Sequence, residues 1–140
     1  MLRINRKTDY AVRVMLALAR RGEGIRISSS QIRDEMSIPH AYLQRIIADL
    51  SRTQLLQTYP GPNGGIQLGR PAQKITLKDI YEAIEGPLLI SECLQAPGEC
   101  TLDICCPVRS RWSRMQALFV QEMESVSLVQ LAQESLVKSF

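Results

Sequence analysis

Residues 29–68 read SSQIRDEMSIPHAYLQRIIADLSRTQLLQTYPGPNGGIQL. Ser29 or Ser30 opens a short helix over SQIRDEM, because a serine hydroxyl at a helix start accepts an otherwise unpaired backbone amide. The turn MSIP follows, with Pro39 where a first helical residue tolerates the missing N–H. The next segment, HAYLQRIIADLSRT, puts Leu43, Ile46, Ile47 and Leu50 on one apolar stripe of helical period. His40, Ala41, Gln44, Arg45, Asp49 and Arg52 lie off that stripe. Leu55 to Tyr59 reads as a strand, PGPNGG as a turn, and Ile66 to Leu68 as the returning strand.

Upstream, Thr8 caps a helix running to about Arg21, with Asp9 in the first turn at the positive end of the macrodipole. Ala11, Val14, Met15 and Leu18 fall on one buried face. Gly22 and Gly24 end the helix, and IRIS adds a short strand. Helix, helix, turn, helix, hairpin is the order of a winged helix-turn-helix, whose third helix lies in the major groove while the hairpin reaches the backbone or the next groove. The fold expected is therefore mainly α with a small β-hairpin wing. Ser29, Ser30, His40, Ala41, Tyr42, Gln44, Arg45, Asn63 and Gly64 are the candidate DNA contacts. Gln44 suits adenine and Arg45 suits guanine when either is bidentate. The plainer alternative is a solvated polar face on an ordinary helical domain.

Charge argues for the first reading. Residues 1–78 carry 13 Lys+Arg against 5 Asp+Glu, and residues 79–140 carry 4 against 9. A basic half facing an acidic half points to a polyanion partner for the basic one. With 140 residues, the chain can bury roughly two-thirds of its unfolded surface and needs no covalent staples to fold. The opening MLRINRKTDYAVRVMLALARR has a basic lead, but its longest apolar run, Val14 to Ala19, is too short for a signal sequence. No stretch is long enough to span a bilayer. The expected location is cytoplasmic, where structural disulfides are rare.

Further along, Thr76 caps a fourth helix, LKDIYEAIEG, with Asp79 three residues on as an imperfect capping box, and Gly86-Pro87 stops it. The four cysteines of the chain then fall within SECLQAPGECTLDICCPVRSRW, residues 91–112. Their spacing, C-x6-C followed by C-x4-C-C, lacks the close pairs of zinc sites. It leaves an iron–sulfur cluster and redox thiols as open alternatives. Glu92, Glu99 and Asp103 oppose negative charge on the thiols; Arg109, Arg111 and the start of the following helix favour it. His40, the single histidine, is far from the thiols in sequence and is read as no metal ligand. Pro107 starts a long helix in which Val108, Trp112, Met115, Phe119, Met123 and Val126 keep a helical period, a stripe suited to packing against a second copy. An enzyme reading lacks its company: no histidine beside the thiols, no C-x-x-C and no phosphate loop.

Taken together the chain resembles the Rrf-two (Rrf2) family of bacterial transcription regulators. The likeness rests on Lys7-Thr8-Asp9-Tyr10-Ala11-Val12-Arg13, on Ile38 through Leu50 with Tyr42-Leu43, on Gly61-Pro62-Asn63-Gly64-Gly65, on the Thr76–Gly86 helix, and on the cysteine loop entering a long helix. The resemblance implies a homodimeric regulator, read as a repressor, that binds a palindromic operator. It has no small-molecule substrate. Cys93, Cys100 and Cys106 would hold the iron of a cluster, with Cys105 as the alternative to Cys106. Arg109 stands where one branch has a ligating histidine. Asp9 matches the aspartate that the NsrR/RirA-type branch supplies from the partner subunit, which favours 4Fe–4S over 2Fe–2S. The same fold without a cluster, sensing through its thiols directly, is the alternative. Pro60 departs from members that carry an arginine there.

The expected divisions are residues 1–85 for the DNA-binding winged helix-turn-helix, 86–107 for the cysteine sensor loop, and 108–140 for the dimerisation helix and C-terminal segment. A chain with this charge split should bind random-sequence duplex DNA with an affinity that falls steeply as salt rises, each neutralised phosphate adding about 0.9 to the log–log slope. Fluorescence anisotropy across a salt series measures it, and a flat profile contradicts the polyanion reading.

Overall fold

The computed structural model describes residues 3–137, apart from the side chains of 135–137; positions 138–140 of the expected C-terminal segment lie outside the described residues. Helix α1 (Arg6–Arg21) begins earlier than the sequence suggests, because Asn5, not Thr8, is its N-cap: Asn5 Oδ1 accepts from the Lys7 amide at 3.1 Å. Thr8 cannot serve as the cap because the helix turns it inward, onto the face shared by Ala11, Met15 and Leu18. Among the described residues its buried hydroxyl has no hydrogen-bond partner. Lys7 Nζ meanwhile reaches Asp49 Oδ2 at 2.5 Å, pinning the start of α1 to the third helix.

Helix α2 (Ser29–Met36) is capped by Ser28, one residue before the expected candidates, through its Oγ to the Gln31 amide at 3.2 Å. Helix α3 (His40–Arg52) follows with Pro39 as N-cap and no side-chain cap. Its start is fixed by apolar contact instead. Ile38 just outside the helix and Leu43 in its second turn are both buried in the core, the positions of a hydrophobic staple. Leu43, Ile46 and Leu50 are fully buried and Ile47 half-buried, as the stripe requires. Burying each such side chain is worth about 1.5–3 kcal/mol.

Strands β1 (Leu56–Tyr59) and β2 (Gly65–Leu68) pair antiparallel, Leu56 opposite Leu68 and Tyr59 opposite Gly65. The strand expected over IRIS shrinks to one residue. Ile27 exchanges both backbone hydrogen bonds with Ile66, at 2.9 and 2.8 Å. Ser28 already turns the chain into α2, so pairing goes no further. A 3₁₀ turn (Ala72–Lys74) leads to α4 (Leu77–Glu85), whose capping box is complete: Thr76 N donates to Asp79 Oδ2 at 2.9 Å and Asp79 N to Thr76 Oγ1 at 3.1 Å. A short α5 (Glu92–Gln95) interrupts the cysteine stretch, and α6 (Pro107–Ser125) is the long helix.

Val126 does not continue α6. Its carbonyl accepts from the Leu77 amide at 2.9 Å, and Leu128 donates to Ile75 at 2.8 Å. That backbone pairing ends the helix and starts α7 (Leu128–Val137), which packs back onto α1 and the 3₁₀ turn with Leu128 and Ala132 buried. The core therefore lies around α1, with α3, α4, α7 and β2 against it. No residue of α6 is buried. The architecture is mainly helical with a two-stranded wing, as the sequence predicts.

Gly65 carries a testable consequence of the Ile27 bridge. Its φ is +144°, and a Cβ there would sit 2.5 Å from the Ile27 carbonyl oxygen. Gly65→Ala should cost about 1–3 kcal/mol of stability, as an unfavourable backbone conformation held by its surroundings does. Urea denaturation measures the loss; an unchanged midpoint would show that the bridge is dispensable.

Candidate DNA-reading face and cysteine loop

The burial of Leu43, Ile46 and Leu50 turns the opposite side of α3 to solvent. His40, Ala41, Gln44 and Arg45 are all exposed there, on a face continuous with the helix start. Ser30 and Asn63 are exposed, and Ser29 and Gly64 half-buried. Gly64 has a structural task as well: a Cβ would lie 1.9 Å from the Tyr59 carbonyl oxygen, so the wing turn admits no side chain at that position. Tyr42 sits at the edge of the face. Its ring meets Tyr10 of α1 edge-on, 5.4 Å between centroids, and it keeps 39% of its surface exposed. Two neighbours on the wing were not among the sequence candidates. The Arg26 guanidinium carbon lies 3.5 Å above the centroid of the Tyr59 ring. The one available signal was Arg26 beside Ile27, an inward–outward alternation too short to weigh.

The cysteine stretch is an excursion from this body. Its shape comes from a carboxylate and a guanidinium. Asp103, with 10% of its side chain exposed, accepts from the Gly98 amide through Oδ2 and faces Arg109 Nε from Oδ1 at 2.8 Å. Arg109 Nε also donates to the Cys93 carbonyl at 3.4 Å. Arg109 is thus committed to the loop's backbone and carboxylate, and not to the thiols as its sequence position suggests. Gln116 of α6 accepts from the Ile90 amide at 3.1 Å, tying the entry of the loop to the same helix. Farther along α6, Glu124 hydrogen-bonds Lys78 of α4 at 3.1 Å. That bond, with the nearby charge of Glu82, holds the Lys78 ammonium above its usual pKa.

All four cysteines are unpaired; Cys100 and Cys105 are exposed, Cys93 and Cys106 half-buried. Cys93 Sγ is 3.1 Å from Ser91 Oγ, and Cys105 Sγ 3.6 Å from the Leu102 carbonyl. Cys106 is the N-cap of α6, and it lines a hollow of about 440 Å³ with Leu94, Asp103, Ile104, Arg109 and Gln116. Asp9 is elsewhere. It pairs with Arg13 one turn on, at 3.1 Å, and lines a different hollow of about 930 Å³ with Arg3, Arg6, Tyr10, Tyr42 and Glu85. Among the described residues no three His, Cys, Asp or Glu side chains come together closely enough to hold a metal ion. The donors suit iron in kind, since the thiols are free and three thiolates with one carboxylate can complete a cluster's coordination. One protomer does not pre-assemble them.

Comparison with known proteins bears directly on this arrangement. A sequence model of the Rrf2 family, described as iron-dependent transcriptional regulators, matches residues 4–134. Among solved structures, CymR (YrzC), the global cysteine regulator of B. subtilis, superposes with a TM-score of 0.79 at 26% identity, covering 96% of this chain and 98% of its own. Staphylococcus aureus CymR gives 0.70 at 28% identity, covering 91% and 96%. T. potens IscR gives 0.78 at 22% identity, covering 99% and 92%, a likeness of fold. These relatives are transcription regulators and not enzymes, and among the described residues no helix is long and apolar enough to cross a membrane. With nearly its whole length matched, and with the wing, the reading helix and the cysteine excursion in place, the chain belongs to the Rrf2 family of transcriptional regulators.

Proposed function

We propose that this chain is a homodimeric repressor that reads a palindromic operator through α3 and the wing, and that an iron–sulfur cluster on its cysteine loop controls that binding. The observation that carries the reading is the placement of four unpaired thiols on an excursion whose two ends both return to the DNA-reading body. Cys93, Cys100 and Cys106 would hold the iron, with Cys105 as the alternative to Cys106 and Asp9 of the partner subunit as the fourth ligand. This is the NsrR/RirA-type pattern, and it favours 4Fe–4S. When bound, such a cluster supplies a redox-active iron centre whose reaction or loss is the signal.

The remaining work falls to the chain itself. Asp103 and Arg109 hold the turn that presents the thiols. Val108, Trp112, Met115, Leu118 and Phe119 are exposed along α6. A contiguous apolar surface of this kind supports a second copy packed against it. In a two-fold dimer, Asp9 of one subunit bound to the other's loop would fix the separation of the two α3 helices, and operator half-sites are spaced to match such a separation. Releasing Asp9 returns it to Arg13 and frees that spacing.

A second reading has support of its own. Cys100 and Cys105 stand exposed, and Staphylococcus aureus CymR, 27% identical over 94% of this chain, has been solved in an oxidized form. In that reading the same fold senses oxidants through the thiols alone.

Protein purified without oxygen separates the two. The cluster reading expects brown protein with stoichiometric iron and sulfide, colour lost in Cys106→Ala and kept in Cys105→Ala, and a weakened or more labile chromophore in Asp9→Ala. Colourless, iron-free protein after reconstitution overturns it. The thiol reading then expects mild oxidation to change DNA affinity in the iron-free protein, an effect abolished by replacing both Cys100 and Cys105 with serine.

A further inference from the structure

We propose that Arg26 is a phosphate clamp of the wing, its guanidinium laid on the Tyr59 ring and its edge turned to the DNA backbone beside the groove that α3 reads. The proposal rests on the DNA-binding half of the function above and is independent of the state of the cysteines.

The position is built from the backbone outward. Ile27 is buried and bridged to Ile66 in both directions, which fixes the strand at that residue and turns its neighbour Arg26 to the outer face. Leu56, Ile66 and Leu68 point into the core, so Gln57, Tyr59 and Gln67 share that outer face. The Tyr59 ring is anchored at its far end: its hydroxyl donates to Gln57 Oε1 at 3.0 Å and accepts from Gln67 Nε2 at 3.0 Å. Gln67 Nε2 also donates to Gln57 Oε1 at 3.2 Å, closing the triangle. A ring held this way is a rigid shelf.

A guanidinium stacked on such a shelf uses its face and leaves its in-plane N–H donors free, the arrangement that suits planar, bidentate capture of a phosphate. A lysine on the same shelf would offer a point charge without the fork. Among the described residues Arg26 makes no ion pair with a carboxylate. The nearest acid in sequence, Glu23, is exposed three residues before Arg26 and lines a hollow with Leu68 and Arg70, while the hairpin itself carries no acid. Residues 50–78 hold Arg52, Arg70, Lys74 and Lys78 and no Asp or Glu. The nearest acid on the C-terminal side of Arg26, Asp34, pairs with Arg33 at 3.2 Å. Ser28 and Ser30, two and four residues beyond Arg26, bring their hydroxyls to 3.3 Å of each other at the exposed start of α2. A cation and hydroxyls beside a hairpin that carries no acid are what a backbone-positioning contact requires. Contacts of that kind set register on the duplex and carry no base information themselves.

The test uses the full chain with two fluorescent duplexes, one of mixed sequence and one selected for tight binding, each titrated across a salt series. Arg26→Ala should weaken both duplexes roughly tenfold at low salt and flatten the log–log salt slope by about 0.9 per lost contact, about 1.8 for a two-fold dimer. Arg26→Lys should keep most of the slope while losing part of the affinity. Tyr59→Leu, which leaves the charge unchanged, should weaken both duplexes in the same direction. Wild-type affinity and slope in Arg26→Ala overturn the clamp. A loss confined to the selected duplex, with the slope intact, overturns it in favour of base reading. Wild-type protein that binds neither duplex defeats the DNA-binding reading itself, an outcome distinct from failure of the clamp alone.

Discussion

The backbone pairing between Ile75–Leu77 and Val126–Leu128 decides how the molecule is divided. The chain leaves the body after α4, at Gly86, and returns at Val126 to the residues that begin α4. Everything between is therefore an excursion that leaves from one end of α4 and comes back at the other. Without that pairing α6 would be a trailing arm. With it, α6 is a brace rooted beside α4, where Lys78 bridges to Glu124, and beside α1, where α7 packs. Two hydrogen bonds are worth only about 1–3 kcal/mol together. Their effect is larger because they place Leu128, wholly buried, and the inward face of α7 against the core.

The body and the excursion differ in what holds them. The body is an apolar core, with Ala11, Val14, Met15 and Leu18 of α1 enclosed by α3, α4 and α7. Such burial is non-directional and makes a firm platform, which a recognition helix needs if its outer residues are to meet base edges at fixed positions. The excursion has no buried residue in α5 or α6. Its order comes from directional contacts: Asp103 to Gly98 and Arg109, Arg109 to Cys93, Gln116 to Ile90. Segments held by a few polar contacts and little burial open at lower free energy than a core does.

Much of this was legible before the structure. The stripe in α3, the turn chemistry of Pro60 to Gly65 and the capping pair Thr76–Asp79 are local signals, and each element formed where they put it. The misplacements are equally instructive. Ser28, Ser29 and Ser30 are equivalent as caps on local grounds; the Ile27–Ile66 bridge chooses Ser28 by stopping the strand one residue earlier. Thr8 lost to Asn5 because helix register is set by the buried face, not by the best capping side chain. Val126 fitted the periodicity of α6 but ends it, for a backbone partner lying far away in sequence. The Arg26–Tyr59 stack joins the neighbour of the isolated Ile27 bridge to the end of β1, and no pattern within either stretch announces it. At the cysteines, sequence supplied donor types and spacing. It could not show that Arg109 is already occupied by Asp103 and the Cys93 carbonyl.

That occupation bears on how the cysteine loop would work under the proposed function. A carboxylate nine-tenths covered faces a guanidinium whose side chain keeps 31% of its surface exposed, so the pair is partly solvated and costs less to separate than a fully buried one, yet parting it still leaves Asp103 poorly hydrated. The thiols' own contacts, one to the Ser91 hydroxyl and one to the Leu102 carbonyl, are weak beside it. The turn is thus held by contacts that do not involve sulfur. A loop ordered by its ligand would collapse when the ligand left, and the thiols would scatter. Under the proposed function the Asp103–Arg109 pair would keep Cys93 and Cys106 near α6 whether or not sulfur is bound, so a change at sulfur would act on a loop still attached to the brace. Its effect would then pass along α6 to its far end, where Glu124 bridges to Lys78 and Val126 bonds to Leu77 beside α4.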